Sequence, residues 1–232
     1  MDSRQPVQAR SVASTHRMLD AAEGLLEAGG PDALTVDAVV RQARTSVGSF
    51  YARFGDRQGL LVVMQDRLLS RLVDALDATV AAAAAEPDLP AAVEILVAEF
   101  LKAFREHRTA FNAYILQNRS DPSMRARGAE ASRQAADSVG RLLATRRDQV
   151  EHPDLTLAAD FTYRALFALA TQTVILDDRD VTGKQHNDET WAEQTTRLLL
   201  AYLQAPLPGD PVRVANSPGR ARPSSATRSS EP

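Results

Sequence analysis

The sequence predicts an all-α fold, on three observations. The chain is rich in Ala, Leu, Arg and Glu, with aromatics at only 5%, and such residues lose little freedom in a helix. Apolar residues recur at spacings of three and four along most of its length. Proline-bearing or charged joints separate these periodic stretches at intervals of helix length. About nine helices are expected: a three-helix head at the N-terminus and a helical bundle behind it.

Each element follows in order. Residues 1–13 are polar and irregular and read as a flexible arm. A helix is expected from Ser14 to Ala28, where Met18, Ala22, Leu25 and Leu26 share one stripe, and Gly29-Gly30-Pro31 stops it. Thr35 is a suitable N-cap for a short helix carrying Val36, Val39 and Val40 and ending near Ala43. Thr45 and Ser46 offer the next cap, for a helix reaching Phe54. Gly55 breaks it and Asp56 caps a long helix with Leu61, Met64, Leu68, Leu69, Leu72 and Leu76. The break at 86–90 is too short for a flexible linker, so head and body are expected to share a rigid helix. Later helices are read at Pro90–His107, Thr109–Asn118, Pro122–Val150, Pro153–Leu176 and Asp188–Gln204. Residues 206–232 hold six of the twelve prolines and almost no large apolar group, so they read as a disordered tail. The domains are thus 1–13, a head at 14–55, a body at 56–205, and the tail.

Composition bounds the function. At 232 residues with 44% hydrophobic content, the chain can bury a core without metal or disulfide. With no cysteine, disulfides, thiol nucleophiles and Cys-ligated zinc are excluded. The first residues lack the apolar run of a secretion signal, and no stretch approaches the ~20 apolar residues of a membrane span, so a cytoplasmic protein is expected. A net charge of −3 confines any nucleic-acid contact to local patches.

The informative stretch is Leu34–Leu61, where a turn of about three residues around Ala43-Arg44-Thr45 separates two short helices. That is helix-turn-helix spacing, in which the second helix lies in the DNA major groove. The small residues Val47, Gly48 and Ser49 permit close approach, while Phe50 and Phe54, four apart, are expected to face inward. Tyr51, Arg53 and Arg57 are candidates for phosphate contacts. Spacing alone fits an ordinary helical bundle as well as a DNA binder. Through Gly55 six arginines face six acids, so the head is neutral and any basic face arises by placement.

The residues LLEAGG, Leu34-Thr35, Ser46-x-Gly48-Ser49-Phe50-Tyr51-x-x-Phe54 and Asp56-Arg57-x-x-Leu60-Leu61 carry a resemblance. Over Thr15–Leu69 the chain closely resembles the DNA-binding region of the tetracycline-repressor (TetR) family of bacterial regulators. Arg44 stands where that family usually has a turn glycine, Thr45 where it usually has an apolar residue, and Arg57 where lysine is more common. The resemblance and the spacing together give a DNA-contacting set of Thr35, Arg44, Thr45, Ser46, Val47, Gly48, Ser49, Tyr51, Arg53 and Arg57. The resemblance further implies a homodimer paired through its last two helices, with Phe161, Ala165, Ala168, Leu169, Trp191, Leu198, Leu199 and Tyr202 as candidates. Both stripes are also suited to closing the subunit's own core.

In the body, Phe100, Phe104, Phe111, Tyr114, Gln117, Tyr163, Arg164, Phe167 and Gln172 form a candidate lining for a small-molecule pocket, which needs an apolar wall with a few polar anchors. Arg164 is the candidate anchor for an anionic ligand. Catalysis is not expected: His16, His107, His152 and His186 are scattered and no nucleophile, zinc or phosphate-loop motif is present. No metal or cofactor is expected. The resulting expectation is a ligand-responsive transcriptional repressor that occupies operator DNA as a dimer and is released by a small effector. Its rivals are an activator or ligand-independent regulator of the same fold, and a helical binding module or enzyme without DNA affinity.

Overall fold

The computed structural model describes residues 4–118, 121–176 and 181–205, with side chains from residue 11 onward except 116–118. The tail at 206–232 lies outside the described residues. The described chain is all-helical, as the composition led one to expect: α1 (Arg4–Ala33), α2 (Val36–Gln42), α3 (Val47–Phe54), α4 (Arg57–Ala84), α5 (Leu89–Glu106), α6 (Arg108–Asn118), α7 (Pro122–Ala144), α8 (Leu155–Ile175) and α9 (Asp188–Gln204). Among the described residues no helix is long and apolar enough to cross a membrane.

Two boundaries differ from the sequence reading. Helix α1 starts at Arg4, inside the segment read as a flexible arm; Pro6 falls in its first turn, where a missing N–H is tolerated. The reading of a helix continuing to Val150 also needs correction, since α7 ends at Ala144 and gives way to a 3-10 turn over Arg147–Gln149. That stretch caps its neighbours instead of prolonging its own helix. Arg146 donates to the carbonyls of Ala84 (2.9 Å) and Glu86 at the end of α4. The Gln149 side chain accepts the Leu89 N–H at the start of α5 (2.7 Å). The expected stop at Gly29-Gly30-Pro31 is a kink, with Gly30 at φ 68° and one further helical turn beyond it.

Two apolar cores lie along one continuous helix. The head core gathers Met18, Leu26, Leu34, Val39, Phe50 and Phe54 around Leu60, Leu61, Met64 and Leu68 of α4, and takes in Ala110, Ala113 and Tyr114 of α6 with Met124 of α7. The body core surrounds Leu76, Val80 and Ala83, farther along α4, with residues of α5, α7, α8 and α9. Leu72 packs against both. Because such interiors transmit displacement rather than absorb it, α4 and α6 mechanically join head to body.

Ion pairs reinforce this joint. Arg67 of α4 meets Asp20 at 2.7 Å, and Arg71 meets Glu23 of α1 at 2.9 Å. Gln58 of α4 donates to Asp121 (2.7 Å), the N-cap of α7.

Candidate functional site

The head presents α3 by its caps and its buried rings. The Ser46 hydroxyl accepts the Ser49 N–H (3.1 Å) and meets the Ser49 hydroxyl at 2.9 Å, fixing the first turn. Phe50 is fully buried and Phe54 nearly so, their ring centroids 5.2 Å apart, as their spacing requires. The opposite face is solvent-facing: Val47, Gly48, Ser49, Tyr51 and Arg53 are all exposed, Tyr51 at 52%. Its ring stands edge-on to Phe50 at 5.7 Å, so the phenol projects from a rigid base.

The turn into α3 accommodates its unusual residues. Arg44 takes φ 51°, the one non-glycine positive φ among the described residues, so it adopts the left-handed conformation that the family's glycine would supply. Thr45 donates its N–H to Val40 (2.9 Å), closing the turn, and its hydroxyl is buried without a hydrogen-bond partner among the described residues. It therefore turns inward, where an apolar residue fits, and away from the exposed set. Thr35 caps α2 by accepting the Ala38 N–H (3.2 Å).

Arg57 is placed otherwise than a free phosphate ligand. Its guanidinium donates to the carbonyls of Leu34 (2.7 Å) and Pro31 (2.6 Å), pinning the α1–α2 connection to the start of α4. Sequence reasoning missed Arg17, whose Nε donates to the Ala43 carbonyl at 3.3 Å and so braces the turn from α1. No spacing rule links positions so far apart.

The body holds a partly open cavity of about 570 Å³ between α4, α5, α6, α7 and α8. Of the candidate lining residues, Phe100, Phe104, Phe111, Tyr114, Tyr163 and Phe167 border it. Phe104 stacks on Phe111 (4.0 Å) and Phe100 (5.0 Å), with Phe167 edge-on at 5.7 Å. The Tyr163 hydroxyl donates to Ser132 (3.0 Å), and burial pushes both the Tyr163 and Tyr114 hydroxyls up from the usual phenol range. Arg164 and Gln172 do not line it; Arg164 is exposed and held by Asp160 one turn earlier at 2.7 Å. The Gln117 side chain lies outside those described. The cations at the cavity are Arg71, Lys102 and Arg125, which the apolar pattern did not mark.

The α8–α9 candidates divide. Phe161, Ala168 and Leu198 are exposed, while Ala165, Leu169, Trp191 and Tyr202 are partly buried. Leu199 is 1% exposed and belongs to the subunit's own body core, so its assignment to a dimer face is corrected: the phase of α9 turns it inward. Phe161 lies beside Tyr202 across the two helices (6.4 Å between ring centroids).

A capped, exposed helix on a three-helix head, packed through α4 and α6 against a helical body that holds a cavity, is the architecture of helix-turn-helix regulators with a separate C-terminal domain. Residues 18–64 match the family described as bacterial regulatory proteins, tetR family, and residues 88–203 match the tetracyclin repressor-like C-terminal domain. The chain belongs to the TetR family of transcriptional regulators. Similar solved structures include a TetR-family regulator from Mesorhizobium loti, with TM-score 0.69 and 14% identity, covering 84% of this chain and 96% of that one. A protein from Rhodococcus sp. RHA1 aligns with TM-score 0.65 and 21% identity over 83% and 96% of the two chains. The fatty acid degradation regulator FadR from Bacillus halodurans aligns with TM-score 0.56 and 17% identity over 80% and 97%. No curated protein matches the chain.

Proposed function

We propose that the protein is a dimeric repressor that binds operator DNA through α3 and leaves it when a small molecule occupies the body cavity. The observation that carries this reading is the division of α3 into a buried face, Phe50 and Phe54, and a rigidly held exposed face of Val47, Gly48, Ser49, Tyr51 and Arg53. A helix so presented, with small residues in its first turn, suits the major groove. The exposed apolar side chains of Phe161 on α8 and Leu198 on α9 support pairing of two subunits, and a two-fold dimer would present two α3 helices to a near-palindromic site.

A mobility-shift titration on the DNA upstream of the chain's own gene tests it. Wild-type protein is expected to retard that DNA specifically, and Tyr51→Ala and Arg53→Ala to bind it at least several-fold more weakly with unchanged helical signal. Binding no tighter than to unrelated DNA overturns the reading. A reporter fused to that promoter is expected to rise when the gene is deleted; a fall would instead assign activation.

A further inference from the structure

The cavity and the head share one side chain. Arg71 lines the cavity, yet its guanidinium makes two bonds to Glu23 of α1, at 2.9 and 3.4 Å. A second, smaller cleft bordered by Glu23, Glu27, Leu68, Arg71, His107 and Tyr114 adjoins the cavity at the same place. The Glu23–Arg71 pair thus stands at the boundary between an apolar chamber and the helix that carries the head core.

We propose that Arg71 is the cavity's anion anchor, and that an apolar molecule bearing a single carboxylate takes its guanidinium from Glu23, releasing one of the ion pairs that tie α1 to α4. This rests on the reading of the cavity as the effector site. Four features support the ligand class. The wall is built of Phe100, Phe104, Phe111, Phe167 and two tyrosines, which fits an apolar body. Arg71 pairs bidentately with a carboxylate already, so a ligand carboxylate has a matching geometry to occupy. The lining carries three cations, Arg71, Lys102 and Arg125, against two carboxylates, Glu106 and the Glu99 that holds Lys102 at 3.1 Å, and Arg125 has no ion pair among the described residues. Finally, Arg71 is half exposed; an exposed pair is worth at most about 1 kcal/mol, a small barrier to exchange of one carboxylate for another.

Arg67 meets Glu23 as well as Asp20 (3.6 Å to Glu23), so the internal control is the exposed Asp66–Arg127 pair, which also involves α4 and of which neither residue lines the cavity. Binding of dodecanoate and of 2-naphthoate, each beside its uncharged alcohol, is measured by calorimetry on the full-length protein without DNA. The carboxylates are expected to bind at least tenfold more tightly than the alcohols, with the stronger of the two reporting whether a chain or a ring fits the wall. Arg71→Gln is expected to weaken carboxylate binding about tenfold and leave the alcohols unchanged, which also shows the variant is folded. Glu23→Gln is expected to tighten carboxylate binding about two- to fivefold, since the competitor is gone, whereas Asp66→Asn leaves it unchanged. Equal affinity for acid and alcohol, no binding of any probe, or equal tightening by D66N and E23Q overturns the proposal. None of these results bears on operator binding, which the mobility shift reports separately.

Discussion

Adjacent leucines on α9 give a sharp test of the proposed dimer. Leu198 is 54% exposed and Leu199 1%, so the same change, to glutamate, is expected to do opposite things. In Leu199→Glu a buried leucine is lost from the body core, which costs about 2–5 kcal/mol, and an unpaired carboxylate is left there, adding several more. Set against a typical total of roughly 5–15 kcal/mol, the variant should be largely unfolded or should melt far below wild type. In Leu198→Glu the isolated subunit loses almost nothing, since exposed substitutions stay within about 0.5 kcal/mol. The cost falls on association. A two-fold interface receives the substitution twice, so two unpaired charges replace two apolar side chains that each gain about 1 kcal/mol on burial. A rise in dimer Kd of a hundredfold or more follows. Sedimentation velocity across micromolar concentrations, with far-ultraviolet circular dichroism melts on the same samples, reads both effects. A Leu198→Glu protein that stays dimeric with wild-type affinity, or a Leu199→Glu protein that melts normally, would refute the placement of α9.

Three further outcomes follow from local geometry. Arg44→Gly removes the left-handed strain seen at φ 51°; after the entropy cost of glycine it should gain about 0.5–1 kcal/mol, a Tm rise of roughly 1–4 °C by calorimetry, and a fall in Tm would show that the arginine side chain holds the turn. Gly59→Ala should lower Tm by several degrees, because a Cβ there would lie 1.9 Å from the Phe54 carbonyl oxygen; an unchanged melt would mean that α3 and α4 separate freely. The Asp121 carboxyl, stabilised by hydrogen bonds from Ser123, Gln58 and the Met124 N–H, is lowered to about 2. Its folded pKa lies below its unfolded one, so its contribution is present above about pH 4 and is lost as pH falls toward 2; in Asp121→Asn the melting temperature should depend less on pH across that window than in wild type.

What was legible in the sequence was local. The four-residue spacing of Phe50 and Phe54, the caps Thr35, Ser46 and Asp56, and the apolar stripe of α4 each follow from helix period and short-range hydrogen bonding, and the structure has them. What escaped was set by phase or by distance along the chain. Leu198, Leu199 and Leu200 are consecutive and apolar, so periodicity does not choose among them; the docking of α9 on α5 and α8 does. Arg57 was read by analogy with a phosphate ligand, but the carbonyls it meets lie 23 and 26 residues away. Arg164 was singled out for its apolar neighbours, yet Asp160 satisfies it on the surface. The true cavity cations sit on α4, α5 and α7, within stretches whose patterns only marked them as polar.

The neutral head raises the question of how it attracts DNA, and the placement of its charges answers it. Asp20 and Glu23 are engaged by Arg67 and Arg71 of α4, while Arg17 and Arg57 donate to backbone carbonyls within the head. Arg41, Arg44 and Arg53 are exposed, and no ion pair holds them among the described residues. Glu27, Asp32 and Asp37 are equally exposed and unpaired among the described residues, but they lie on α1 and at the start of α2. The three arginines instead flank the turn and α3, so charge that is balanced by number is set apart by place. A proposed dimer brings six such arginines to one operator. If all six displace counterions, log K against log salt should have a slope near −5. Arg53→Ala should then make that slope shallower by about 2, one contact per subunit, whereas Arg67→Ala should leave it unchanged because its guanidinium faces Asp20 rather than DNA. A slope that is nearly flat in wild type, or that Arg67→Ala alters as much as Arg53→Ala does, would show that the head reaches DNA through a different surface.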